Sequence, residues 1–514
     1  MKARRLRAEA HFGDRIIRCA AERPPHVGAL LAAAVAANPD GDALVDGPLR
    51  LSHGALWSRA GAVAARLQGL GVAPGDRVAL VVGNRWTFVA GLLGILRAGA
   101  IAVPIPIRSS APEAAYIIEN SGASLSITDE ETARLPPEAA PRLMAREFTA
   151  LTGGPAEIPT PGEEDAAVIL YTSGTTGRPK GAMLTHLNIV HSCLAYLDVW
   201  ALTPGDRTVL AVPASHVTGL IAGIFAPLSC GCAVIMLERF EVQAFLALAV
   251  AERMSFTIMV PAMYNLCLLR ARLEDHDLSA WRLGSFGGAP MPLATTEKLA
   301  AILPGLVLTQ AYGSTETCSP ATLMPLGRQL ERLASVGAPV AHADIRVMDE
   351  HGHEVPAGES GEIWIGGPMV VPGYWRMPEK TRESFHAGFW RSGDIGRYDE
   401  AGFLHVHDRL KDMINRGGLK VYSAEVESAL SHHPGVAEAA VVPRADPVLG
   451  EKTWAFVHLS DAAVEEEALR AHCRERLSDY KVPDVFVFTP EPLPRNANGK
   501  IMKQALKEQA AASG

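Results

Sequence analysis

Apolar and polar positions along this chain fall into one repeating rhythm and then change texture twice. Arg77–Val82 reads as a strand, Trp86–Ala98 as a helix and Ile101–Ile105 as a strand again. A helix over Pro112–Asn120 and a strand over Ser124–Thr128 complete a βαβαβ order, which predicts a parallel sheet covered by helices. Ala167–Tyr171 is a further apolar strand. Beyond it, strands begin near Thr208, Ala233, Phe256, Arg282 and Leu306. Their spacing of about 25 residues leaves room for one crossover helix each. Thr185 is placed to cap a helix running through Leu187, Val190 and Leu194. From about residue 335 the pieces become short and alternating, as in Ala343–Met348 and Gly361–Ile365, and predict a small antiparallel β-barrel. After Arg409 the texture is mixed: helices over Ala424–Ser431 and Glu465–Leu477, strands over Val436–Val442 and Thr453–Leu459. The expected architecture is α/β, with a large N-terminal body of parallel βα sheets plus the small barrel (residues 1–408). A smaller C-terminal α+β domain (residues 409–514) follows.

The composition narrows the function classes. A chain of 514 residues exceeds what one hydrophobic core serves, so at least two domains are expected. With 48% hydrophobic and 20% charged residues it reads as an ordinary globular protein. A formal net charge of −8 argues against general binding to nucleic acid or to an anionic membrane. The cysteines number 7, an odd count, and Cys230 and Cys232 lack the spacing and the second pair of a zinc site, so reduced thiols are expected. Met1–Arg7 is basic, but Asp14, Arg15 and Arg18 interrupt any signal core. The apolar stretch Val89–Ile107 carries Arg97, Pro104 and Pro106, which predicts a buried helix and strand and no membrane span. The terminal Ala-Ala-Ser-Gly carries no lipidation or peroxisomal address, and a cytoplasmic protein is expected.

Chemistry concentrates in a few strings. Tyr171-Thr-Ser-Gly-Thr-Thr-Gly-Arg-Pro-Lys-Gly181 follows an apolar strand and combines close-approach glycines, hydroxyls and a lysine, a composition suited to phosphate oxygens. It is not the Walker pattern, because Arg178-Pro179 separates Gly177 from Lys180. Gly287-Gly288-Ala289-Pro290 comes after a predicted strand, where small residues let a flat base lie against the backbone. Tyr312-Gly313-Ser314-Thr315-Glu316, placed after the strand Leu306–Thr309, offers an aromatic face, hydroxyls and a carboxylate suited to Mg²⁺. Ser392-Gly393-Asp394 offers a carboxylate for a ribose. Each of these shorter strings, alone, is more often a turn.

In this order, and over nearly the whole length, the strings resemble the adenylate-forming superfamily of acyl-CoA synthetases, amino-acid adenylation domains and firefly-type luciferases. The resemblance implies that Thr172, Ser173, Gly174, Thr175, Thr176, Gly177 and Lys180 hold the β- and γ-phosphates of ATP. It assigns Gly288, Ala289 and Pro290 with Gln310, Ala311 and Tyr312 to adenine, Thr315 to the α-phosphate and Glu316 to magnesium. Asp394, helped by Arg409, takes the ribose hydroxyls. Asp408–Ile414 looks like the family hinge with Lys411 as pivot, although many members have glycine where Asp408 stands. Pro494–Lys500 resembles the motif whose lysine, here Lys500, is catalytic, and Gly418 would line the pantetheine tunnel.

The implied reaction joins a carboxylate to AMP with loss of pyrophosphate. The mobile C-terminal domain then turns about Lys411 and the acyl group passes to the thiol of CoA. Val212–Gly219 resembles the acyl-pocket motif, with His216 as its gate, although a histidine merely satisfied by hydrogen bonds is the plainer alternative. Amino-acid-activating members carry an aspartate where Val217 stands; an unpaired ammonium in a desolvated pocket costs several kcal/mol, which disfavours amino acids. Acetate-specific members have tryptophan where Gly313 stands, so a deeper pocket is expected. Val217, Tyr264, Phe286 and the helix carrying Leu220 and Ile221 are expected to wall it. A fatty or aryl acid with ATP, CoA and Mg²⁺ fits this pattern. The alternative is a fatty acyl-AMP ligase or stand-alone adenylation enzyme serving a carrier protein, although no carrier domain is seen after Lys500. A homodimer is compatible with either.

Overall fold

The computed structural model describes residues 4–136, 141–154, 159–172, 178–289, 291–460, 463–495 and 501–512. The chain forms two compact units. The first comprises Met1–Met291, Thr295–Ile345 and Trp364–Arg391; the second comprises Pro292–Ala294, Arg346–Ile363 and Ser392–Gly514. The boundary read from the sequence at residue 408/409 falls inside the second unit, where Asp394 on Phe389–Tyr398 pairs with Arg409 on Leu404–Arg409.

The first unit holds two large sheets. One has six strands in the order Lys180–Thr185, Ala166–Thr172, Ile101–Pro104, Arg77–Val81, Leu125–Thr128 and Arg142–Met144. All its pairs are parallel except the first. Val78, Ala79, Leu80 and Val81 are fully buried, as expected for a strand covered on both faces. The second sheet has nine strands. Its parallel centre is Leu283–Gly287, Phe256–Met259, Arg207–Leu210 and Ala233–Met236, flanked by Val307–Ser314 and Asp42–Asp46. Antiparallel pairs close both ends. In these two sheets the strand starts read from the sequence hold to within one residue.

The apolar stretch suspected of being buried is the helix Trp86–Arg97, inside from Thr87 to Leu96 and followed by the strand Ile101–Pro104. Burying each of Phe88, Leu92 and Ile95 stabilises the fold by about 1.5–3 kcal/mol. Arg97 ends the helix with its guanidinium carbon 4.2 Å from the centre of the Trp57 ring and donates to the Trp57 carbonyl, so the charge sits at the favourable end of the helix dipole. No helix among the described residues is long and apolar enough to cross a membrane.

Thr185 caps the helix His186–Trp200 as expected. Its hydroxyl accepts the Asn188 N–H at 3.2 Å, and the Asn188 side chain accepts the Thr185 N–H at 2.9 Å. The expected barrel is an open, curled sheet: Asp344–Met348, Gly361–Gly366, Phe389–Tyr398 and Phe385–His386, with Leu404–Arg409 paired to Phe389–Tyr398. A last sheet lies within the second unit, built on the antiparallel pair Val436–Asp446 and Gly450–Leu459 with Val485–Thr489 alongside. The sequence reading missed the N-terminal hairpin Leu6–His11/Arg15–Ala20 altogether: Leu6–His11 alternates apolar and polar residues, whereas Arg15–Ala20 does not.

Candidate active site

The strands Ala166–Thr172 and Lys180–Thr185 run antiparallel, with Thr172 opposite Lys180. Ser173, Gly174, Thr175, Thr176 and Gly177 lie outside the described residues, so only the two ends of the expected phosphate loop are seen. The strand that follows, rather than a helix, separates this string from P-loop and dinucleotide folds, where a helix N-terminus supplies the amide donors.

Residues 373–375 join the same edge. Met183 N–H donates to the Gly373 carbonyl at 3.1 Å, Trp375 N–H donates to Gly181 at 2.7 Å, and Ala182 and Tyr374 form a bridge. This pairing brings Tyr374 beside Lys180, whose ammonium lies 4.4 Å from the ring centre and donates to the phenol oxygen at 3.2 Å. The Tyr374 hydroxyl donates in turn to one Glu316 oxygen at 2.8 Å, and the Ser314 hydroxyl donates to the other at 2.8 Å. Tyr374 is 3% and Glu316 6% exposed. Burial pulls the Lys180 pKa below the usual lysine value, with Glu316 opposing the shift, and burial beside Glu316 pushes the Tyr374 phenol up. Glu316 thus meets hydroxyl donors on both oxygens and keeps lone pairs to spare, a hard oxygen site that fits Mg²⁺.

The two strings expected at adenine are neighbours, because Gly287 pairs with Ala311 across adjacent parallel strands. Gly288 and Ala289 are exposed at the end of Leu283–Gly287, Gln310 and Ala311 are buried, and Tyr312 is half-buried; Pro290 lies outside the described residues. The string from Tyr312 does not simply follow a strand. The strand Val307–Ser314 runs into it, with a bulge between Tyr312 and Gly313. A Cβ on Gly313 would lie 2.0 Å from the Ser319 carbonyl oxygen, so the bare backbone there answers to strand pairing as well as to pocket depth. Next to the buried Thr315–Glu316 pair, Cys318 and Ser319 hold φ of 49° and 81°, a strained stretch of the kind found at functional sites.

His216 opens the helix Thr218–Phe225, which is wound as a π-helix and buried from Gly219 to Phe225. π-turns of this sort mark functional sites. The ring nitrogen Nδ1 of His216 accepts the Thr218 N–H at 3.4 Å. Val217 is buried at its side. Tyr264 and Phe286, expected as pocket walls, are fully buried in a core cluster; the Tyr264 hydroxyl donates to the Ser285 carbonyl at 2.8 Å and its ring stacks on Trp281.

Within the second unit Asp394 and Arg409 come together, Arg409 Nε donating to the carboxylate at 3.0 Å. Arg409 is half exposed, so the pair itself contributes about 0–1 kcal/mol and serves placement more than stability. Asp408, the departure from the usual glycine, has a job. Its carboxylate accepts the Ser423 N–H and the Ser423 hydroxyl, the latter at 3.0 Å, at the start of the helix Ser423–Ser431. Lys411 is exposed, although desolvation beside its neighbours lowers its pKa, and Gly418 stands exposed at φ 89° with open space around its α-carbon. Lys500 lies outside the described residues.

Several residues of consequence escaped the sequence reading. Asn84, 8% exposed, donates to the carbonyls of Val212 at 2.9 Å and Leu237 at 3.2 Å and accepts the Ala214 N–H at 2.8 Å, fixing the stretch that leads to His216. Its only sequence signal was a polar residue between a buried strand and a buried helix. Tyr374 gave none beyond following a glycine. The mixed cluster of Glu9, His11 and Cys19 has donor atoms within 4.8 Å of one another, the spacing of a metal site. Arg23 occupies it instead, donating to Glu9 at 2.8 and 3.0 Å and to Glu163 at 2.7 Å, while burial pushes the Cys19 thiol up to about 12. A divalent cation would meet that guanidinium, so the cluster ties the N-terminal hairpin down.

Comparison with known proteins agrees with this geometry. Residues 31–375 match the family described as AMP-binding enzyme, and residues 425–500 match the AMP-binding enzyme C-terminal domain. A feruloyl-CoA synthase from Amycolatopsis sp is 36% identical over 477 residues, covering 92% of this chain and 96% of that protein. The long-chain-fatty-acid–CoA ligase FadD13 of Mycobacterium tuberculosis is 34% identical over 478 residues, covering 90% and 94%. Among solved structures, the o-succinylbenzoate CoA synthetase of Bacillus subtilis with its acyl-adenylate intermediate superposes with a TM-score of 0.86 at 29% identity, covering 95% of this chain and 98% of that one. The same enzyme in complex with ATP and magnesium gives 0.84 at 30% identity, covering 94% and 98%. This chain belongs to the AMP-binding enzymes of the adenylate-forming superfamily, and it is an AMP-forming acid–CoA ligase.

Proposed function

We propose that the acid is a hydrophobic one, fatty or aryl, and that the two half-reactions divide between residues as follows. A carboxylate oxygen attacks the α-phosphorus of ATP, the bond to the bridging oxygen breaks and pyrophosphate leaves. The CoA sulfur then attacks the acyl carbonyl, the bond to the adenylate oxygen breaks, AMP leaves and the thiol proton passes to solvent. Lys180 with the loop from Thr172 to Gly177 holds the β- and γ-phosphates, Gly288–Pro290 and Gln310–Tyr312 hold adenine, and Asp394 with Arg409 holds ribose. Thr315 contacts the α-phosphate. Glu316 holds Mg²⁺, which when bound neutralises phosphate charge. Lys500 orients the carboxylate against the α-phosphoryl group, a contact whose loss costs about 10²–10³-fold by comparison with other transition-state donors. Residues 409–514 then turn at Lys411, and Gly418 gives the thiol passage.

One observation carries the substrate class. From Val217 through Phe225 the segment beside His216 offers no carboxylate and, apart from half-buried Thr218, is buried. An α-ammonium there would go unpaired at a cost of several kcal/mol. The relatives named for feruloyl-CoA and long-chain fatty acids bracket the aryl and aliphatic options. Pyrophosphate release across a panel of fatty, aryl and amino acids, with and without CoA, tests the reading. Turnover with aryl or fatty acids and CoA-dependent AMP release support it. Preference for amino acids, or release that ignores CoA and needs a carrier protein, overturns it.

A further inference from the structure

We propose that Tyr374 is a positioning residue that keeps Lys180 and Glu316 apart, leaving the ammonium available to nucleotide phosphates and the carboxylate available to a divalent cation. The proposal rests on the roles assigned above to Lys180 and Glu316.

A half-buried lysine and a buried glutamate that share one hydroxyl partner would ordinarily form an ion pair, since their attraction is strong where water is scarce. Here they do not. The Tyr374 oxygen stands between them, 3.2 Å from the Lys180 nitrogen and 2.8 Å from Glu316 Oε1. An ammonium has no acceptor, so the phenol proton must point at Glu316 and the phenol lone pair at Lys180. One hydroxyl therefore satisfies both charges without letting them neutralise each other.

The spacer is held from several sides. Its main chain bridges to Ala182, its N–H donates to the Thr381 hydroxyl at 3.0 Å, and its ring meets Phe385 edge-on at 5.7 Å. The segment just before it is anchored by Arg15, which donates to the carbonyls of Val371 at 3.0 Å and Pro372 at 3.1 Å, and by Asn188, which donates to Pro368 at 2.7 Å. Val371 N–H donates to the Glu316 carbonyl at 3.0 Å. The same short stretch thus fixes Glu316 through its backbone and through its carboxylate. Without the hydroxyl, Lys180 can close on Glu316, and each is lost to its ligand.

The test is Tyr374→Phe, with binding of ATP and AMP measured by calorimetry in the presence and absence of Mg²⁺. AMP affinity is expected within about twofold of wild type, while affinity for MgATP falls about tenfold or more. The Mg²⁺ concentration for half-maximal pyrophosphate release rises about tenfold, and kcat largely recovers at saturating Mg²⁺. Adding Lys180→Met to Tyr374→Phe should bring that Mg²⁺ concentration back toward wild type, because the carboxylate loses the partner it collapsed onto. A merely structural role predicts additive losses instead. The proposal is overturned if Tyr374→Phe binds MgATP as wild type does, if AMP and MgATP weaken in proportion, or if the double variant is worse for Mg²⁺ than the single one. A wild-type protein that releases no pyrophosphate with any acid would sink the substrate reading and still leave these binding measurements to decide on Tyr374.

Discussion

Lys507 donates to the main-chain oxygen of Lys411 at 2.9 Å and to the Asp412 carboxylate at 2.8 Å. The helix Lys503–Ala512 thereby grips the residue proposed as the pivot, and Lys503 adds contacts to Ser423 and Glu427 at 2.7 Å each. Rotation of the backbone at Lys411 must break or redirect the Lys507 bond. Lys507→Met should leave pyrophosphate release within about threefold and change acyl transfer to CoA by about tenfold or more, since a charge-assisted bond of this kind is worth about 1.5–3 kcal/mol. Single-turnover reaction of isolated acyl-adenylate with CoA reads the effect; an unchanged transfer rate would show that the grip plays no part in turning.

The two half-reactions should separate by mutation. Lys500→Ala is expected to abolish acid-dependent pyrophosphate release while still converting added acyl-adenylate to thioester. Equal loss of both halves contradicts the role given to Lys500. At Gly418 the φ of 89° strains any L-residue, so a bulky variant alone would mix strain with obstruction. Gly418→Ala should therefore be compared with Gly418→Leu. Strain affects both alike; only the leucine should slow thioester formation further, by about tenfold or more.

Asn84→Leu should damage both fold and gate. It removes the donor to Val212 and Leu237 and the acceptor of Ala214, leaving buried main-chain groups unpaired at about 1–3 kcal/mol each. Denaturant unfolding is expected to show a loss of about 2–4 kcal/mol, with a rise in KM for the acid larger than that for ATP. Equal KM changes for both substrates would mean that the His216 segment does not depend on Asn84.

Acid should destabilise the first unit early. Burial pulls the His186 and His191 imidazoles down to about 4. His191 Nε2 accepts the Ala20 N–H at 3.1 Å while Nδ1 donates to the Leu187 carbonyl at 2.9 Å, so a second proton would break the link to the N-terminal hairpin. Unfolded histidines titrate near 6.5, so between roughly pH 6.5 and 4 the unfolded chain binds more protons. The stability these groups contribute is present above pH 6.5 and is lost as pH falls toward 4, by up to roughly 3 kcal/mol each. The thermal midpoint should drop across that window and drop less in His191→Gln. A midpoint flat from pH 7 to 4.5 would refute the assignment.

Some of this was legible in the chain itself. The central strands are unbroken apolar runs because both faces are covered, and Thr185 with Asn188 three residues on spells its own helix cap. Asp394 and Arg409, named together from the family resemblance, do come together in the fold. Other features stayed hidden. Lys180 and Tyr374 are separated by 194 positions, Asn84 reaches carbonyls 128 and 153 positions away, and the bond from the Tyr264 hydroxyl to the Ser285 carbonyl has no signal in the amino-acid order.

The division has one physical cause. Helix caps, strand runs and loop chemistry are settled by neighbours within a few residues, and so the amino-acid order alone determined the α/β layout and the kind of reaction. Which hydroxyl stands between which lysine and which glutamate depends on the pairing of residues 373–375 with residues 181–183, an edge contact between distant segments. Only the folded chain decided that, because the partner of a strand edge comes from a distant segment and no local signal in the amino-acid order names it.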